Sequence, residues 1–133
     1  MRLASWAAAA ALLAPAMAVA HHSFVSEFDV DRPVSLQGTV TKVELINPHS
    51  WITIAVEDED GETSEWMFEG GSPNALVRRG ITKQSVPIGA ELIITGYQAR
   101  DGSNRAVGAD VTFADGRQLF FGTSVPGASQ QKQ

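Results

Sequence analysis

The chain has no cysteine among its 133 residues. That absence excludes a disulfide framework, a thiolate zinc site, a nucleophilic thiol and a lipid-modified cysteine anchor. Positive charge is scarce as well: ten Lys and Arg stand against fifteen Asp and Glu, for a net charge of −5. Nucleic acid and anionic membranes find no basic footprint on such a surface. No segment offers the roughly 20 consecutive apolar residues of a membrane helix, so no membrane span is expected. Histidine is rarer still, with three in the chain, and two of these are adjacent.

What is present fits one small globular domain, since hydrophobic residues make up 44% and charged residues 19% of the chain. Without disulfides, stability must come from an apolar core, which roughly 110 residues can supply. The first twenty residues read differently from the rest. Arg2 gives a positive start, Ala7 to Leu13 is almost pure alanine and leucine, Pro15 breaks the run, and small residues follow in "PAMAVA". This is the layout of a secretory signal peptide over residues 1–20, and it implies an exported protein. Cuts after Ala18 and after Ala20 both satisfy the small-x-small rule; the second is preferred and makes His21 the first residue of the processed chain.

A polar arm (residues 21–33) leads into a series of strand-like runs over 34–122, followed by a Ser-, Gly- and Gln-rich tail (123–133) expected to fray. "VSLQGTVTKVELI" alternates and then shifts phase around a central glycine, which predicts a long, bent strand with a bulge. "WITIAVE" and "SEWMFEG" flank the turn "DEDG" as a hairpin, with Trp66 and Phe68 on one side of the second strand. In "GGSPNALVRRG" the period changes: Ser72 fits an N-cap, Pro73 the first helical position, Leu76 and Val77 an inward face and Gly80 the stop. "ELIITGYQAR" and "NRAVGADVTF" are two further strands, and "RQLFF" a last short one. The order strand, strand, strand, short helix, strand, strand, plus an appended strand predicts an all-β OB-fold-like small Greek-key barrel with one short helix. A sandwich of the same strands is the alternative.

The loop "INPHSW" joins the first two strands, at the end where OB-folds place their binding face, and it carries His49. Read alone, His49 is a turn residue bonding the backbone after Asn47 and Pro48. Cleavage after Ala20 changes its company, because His21 would then offer an α-amine and an imidazole on one residue, and His22 a second imidazole. Nitrogen ligands without thiolate suit Cu(II), Ni(II) or Zn(II), and an amine with imidazoles suits copper in particular. The arm from His21 to Val34 can span close to 40 Å at roughly 3.3 Å per residue, so His21 or His22 can meet His49. Such a site resembles the histidine brace of copper proteins. The competing reading is that adjacent histidines on a polar arm bind adventitious metal. Phe24, Val25, Phe28 and Val30 argue for docking of the arm, because burying a phenylalanine is worth roughly 1.5–3 kcal/mol.

Trp51, Trp66 and Tyr97 invite a second reading, in which they line a face for a small ligand or an envelope protein partner, although such aromatics also fill barrels. Single-stranded nucleic acid would add a need for positive charge that is missing. No enzyme is expected. The acids gather in solvated turns such as "EDEDG", Glu27 and Asp29 merely share a face at i, i+2 spacing, and Ser23, Ser50 and Ser72 lack a nucleophile motif.

Taken together, "HHSFVSEFD", "GTVTKVELINPHSW", "WMFEGGSPNALVRRG" and "DGSNRAVGADVTFADGRQLF" resemble a family of small exported bacterial proteins of unknown function. The resemblance implies a periplasmic location and a compact β-rich fold. It carries over the pairing of His21 and His22 with Asn47, Pro48 and His49, and supplies no activity. The sequence reading is thus a periplasmic metal-binding protein. His21, His22 and His49 are its candidate ligands, Asn47 would orient the loop and Trp51 would shield it. A metal-free binding module that uses Trp51, Trp66 and Tyr97 is the alternative.

Overall fold

The computed structural model describes residues 26–123. Six strands and one helix follow in the expected order: β1 (Phe28–Glu44), β2 (Trp51–Glu57), β3 (Thr63–Glu69), α1 (Pro73–Arg78), β4 (Glu91–Ala99), β5 (Arg105–Phe113) and β6 (Gln118–Phe120). The strands form one sheet in the order β3-β2-β1-β4-β5-β6. A short parallel pairing of β3 with β5, at Met67↔Arg105, Phe68↔Ala106 and Glu69↔Val107, brings the sheet back towards itself. The fold is therefore mostly β with a single short helix, in an OB-like strand order whose ring is joined over three residue pairs.

β1 carries the architecture because it pairs with both β2 and β4. Its ladder to β2 slips between Val40 and Lys42, the bulge that the phase shift in the sequence predicts. Gly38 lies where β1 and β2 approach closely: a Cβ there would sit 2.5 Å from the Ala55 carbonyl oxygen and 3.1 Å from Ile54 Cδ1. We expect Gly38→Ala to cost about 2 kcal/mol through overpacking, read as a lower urea midpoint at unchanged slope.

The strand starts earlier than its alternation suggests. β1 begins at Phe28, so much of the polar arm is already strand, with Phe28 opposite Ala99. A run of acids and Pro33 hides this in the sequence. Phe28 is buried at 3% exposure while Val30 is exposed, so one of these two apolar residues docks; Phe24 and Val25 lie outside the described residues.

The core gathers the inward residues of all the main strands, including Val40, Ile52, Ile54, Phe68, Leu92, Ile94 and Val111. Helix α1 closes one end. Ser72 caps it by accepting from the Ala75 N–H at 3.4 Å, Pro73 stands at its first position, and Gly80 ends the turn at φ +87°. Leu76 faces inward as expected and is fully buried, but Val77 faces solvent. Adjacent helical positions lie about 100° apart, and in this six-residue helix the core meets the Leu76 side of that turn. Trp66 and Phe68 share a side of β3, with ring centroids 6.4 Å apart.

Candidate functional site

His49 is placed by the hairpin that follows it. β2 and β3 pair from Trp51↔Glu69 to Glu57↔Thr63, and the backbone continues that zipper one step further. The Ser50 N–H donates to the Gly71 carbonyl at 3.0 Å, and the Ser50 carbonyl accepts from the Gly70 N–H at 2.8 Å. Ser50 is consequently fully buried, and its neighbour His49 is held over the end of β3. The Asn47-Pro48 peptide that leads into this corner is cis.

There His49 meets Glu69: Nδ1 contacts Oε1 of the carboxylate. In the neutral imidazole Nδ1–H is then the donor and Nε2 keeps its lone pair. The carboxylate is largely shielded, with 13% of its side-chain surface exposed against 44% for the imidazole. A half-exposed imidazole held by a half-buried carboxylate is the outer-shell arrangement that orients metal-ligating histidines.

Glu69 titrates above the ordinary glutamate value of 4.5, first because burial disfavours its charge. The His49 side chain acts against that rise, the Glu27 carboxylate adds to it, and the Arg105 guanidinium again opposes it. With the folded value raised, the stabilising contribution is fully present below 4.5 and is lost as pH rises through the folded value. We therefore expect metal-free Glu69→Gln to gain in Tm relative to wild type as pH rises from 4.5 towards neutrality. Thermal melts across that range check the sign.

The same cluster fixes the start of the described chain. Glu27 pairs with Arg105 Nη2 at 3.5 Å, and the Arg100 N–H donates to the Glu27 carbonyl at 2.8 Å. Phe28 packs with Ala99, Val107 and Tyr97 in a small second core, beneath the Arg105 guanidinium at 5.6 Å from its ring centroid. Glu27 and Asp29 do not form a carboxylate pair, since Asp29 turns instead to Arg32 at 3.8 Å and Arg100 at 3.9 Å.

His21 and His22 lie outside the described residues, as do residues 1–20, which the sequence reading takes as a leader. Among the described residues no group of three or more His, Cys, Asp and Glu side chains could hold a metal. No described helix is long and apolar enough to cross a membrane. Asn47 is exposed beside His49, and Trp51 is half-buried, paired in register with Glu69. Trp66 packs on the main core and Tyr97 on the second one, so the two rings serve different clusters. Sequence reasoning missed Glu69, although counting outward from the "DEDG" turn places it opposite Trp51 and so next to His49. Arg105 carries no comparable signal.

The chain matches, over residues 9–109, the model of a family of unknown function (DUF6152). No curated protein and no solved structure matches it.

Proposed function

The chain belongs to the family of unknown function DUF6152, which lends it no activity, and from its own chemistry we propose an exported, periplasmic metal-binding protein. Its site would join the α-amine and imidazole of a processed His21 to Nε2 of His49, with His22 as a third or alternative imidazole. Cu(II) is the preferred metal, because a terminal amine with imidazoles and no thiolate matches its ligand preference; zinc and nickel are the competing ions.

The observation that carries this reading is the His49–Glu69 pair beside the start of the described chain. Glu69 takes up Nδ1 and leaves Nε2 for a ligand, and Glu27, whose charge acts on Glu69, stands five positions after His22. Five extended residues reach roughly 17 Å. Storage, delivery or sensing of the metal would follow from such a site, with no catalytic step required.

The test is intact mass and metal analysis of the protein taken from its own periplasm without an affinity tag. The expected result is a chain starting at His21 that carries one copper ion. A start at Val19 together with no retained metal overturns the reading.

A second reading, a metal-free binding module, is favoured by an open groove of about 350 Å³ lined by Thr41, Lys42, Thr53, Glu65, Met67 and Asn104. Trp51, Trp66 and Tyr97 do not line it. Retention of an organic ligand by the metal-free protein in native mass spectrometry would support that module, and an empty groove would remove it.

A further inference from the structure

We propose that Arg105 is a positioning residue: it clamps Glu27 and Phe28 against β4 and β5 and so fixes where the N-terminal segment joins the sheet, on the side of Glu69, the partner of His49. Its link to metal rests on the function proposed above, but the clamp itself is a property of the metal-free fold.

Three observations converge on it. Arg105 opens β5 and pairs with Met67 on β3, two residues before Glu69, so its side chain stands at the edge of the His49–Glu69 corner. From there the guanidinium reaches Glu27 at 3.5 Å and lies over the Phe28 ring at 5.6 Å, engaging two consecutive residues of the arriving segment. Its Nε is buried and has no hydrogen-bond acceptor among the described residues. A buried donor without a partner is costly, so the side chain is held by its charge and its stacking rather than by a full set of hydrogen bonds. A planar guanidinium can stack on an aromatic face while its edge meets a carboxylate, a geometry that a compact ammonium matches less well.

The ladder of β1 with β4 pairs Phe28 with Ala99, then breaks and resumes only at Pro33 and Tyr97. Before that break the attachment includes the Phe28 ring in its small core, the Arg100 N–H to the Glu27 carbonyl, and the charges around Arg105, Arg100 and Asp29. Removing the guanidinium therefore loosens the start of β1 while the main core, which Arg105 does not join, stays intact. For a tethered chelate, a fixed point of departure raises the effective concentration at the second half of the site.

The Arg100 amide is the reporter, because its acceptor is the Glu27 carbonyl. In metal-free Arg105→Met, hydrogen exchange at Arg100 is expected to rise at least tenfold, with the Ile54 and Phe68 amides unchanged. Arg105→Lys, which keeps the charge and loses the stacking, is expected to fall between the two. Unchanged exchange at Arg100 overturns the clamp, and so does acceleration that the Ile54 and Phe68 amides share equally. Copper titration then separates the clamp from the metal reading. If His49→Ala weakens binding in the wild-type background, the same substitution must weaken it less in Arg105→Met; an equal loss in both backgrounds overturns the positioning role. If His49→Ala has no effect in the wild type, the metal reading fails and the clamp is decided by exchange alone.

Discussion

Replacing Phe121 with alanine is expected to cost about 3–5 kcal/mol of folding stability, the largest loss foreseen for any single residue in this fold. Phe121 follows β6 and is completely buried. Its ring fills the space left by two glycines on different elements: a Cβ on Gly70 or on Gly108 would strike it. The backbone at this point is stitched down on both sides, since the Phe121 N–H donates to the Ala109 carbonyl at 2.8 Å and the Phe121 carbonyl accepts from Gly71 at 2.9 Å. With the backbone pinned and glycines as neighbours, the cavity cannot collapse, which puts the substitution at the costly end of the large-to-small series. A fall in Tm of more than about 10 °C is expected for a domain of this size. Phe120 is the internal control. It is 41% exposed and rests beneath the Arg79 guanidinium at 4.7 Å, so Phe120→Ala is expected to cost less than about 1 kcal/mol. Equal losses at the two positions would refute the packing account.

Loss of the His49 imidazole is expected to weaken Cu(II) binding by the processed chain about 100-fold, or about 2.7 kcal/mol. The terminal amine and imidazole of His21 can chelate copper by themselves, but both sit on one residue of the arm. His49 would bring a ligand from the barrel, already fixed by the Ser50 backbone and by Glu69, so little ordering entropy remains to be lost on binding. Glu69→Gln acts one step further out and is expected to weaken binding about tenfold, the lower end of the range for outer-shell partners. Competition against a chelator of known affinity measures both. Equal affinities for wild type and His49→Ala would reduce the site to the terminal pair.

The hairpin of β2 and β3, the bulge of β1 and the capped helix were legible because each has a local signal: a turn tetrapeptide, a break in alternation, a Ser-Pro entry and a Gly exit. The early start of β1 was not, since "FDVDRPV" mixes acids with a proline and its only buried large side chain before Val34 is Phe28. Val77 was misplaced because two adjacent apolar residues on so short a helix give no period to read. At the site, rarity singled out His49. Glu69 was invisible among fifteen acids, since what distinguishes it is burial and register, which are tertiary facts. Arg105 and Glu27 meet across a long stretch of sequence, and no local pattern joins them.

We propose that one metal ion is shared between the processed N-terminus and His49 of the sheet. Pulsed EPR on the Cu(II)-loaded chain beginning at His21, with and without the His49→Ala substitution, counts the coordinated imidazoles. The account predicts that His49→Ala removes one imidazole from the copper while the terminal amine and the His21 imidazole remain. An identical imidazole count in the two proteins would contradict it.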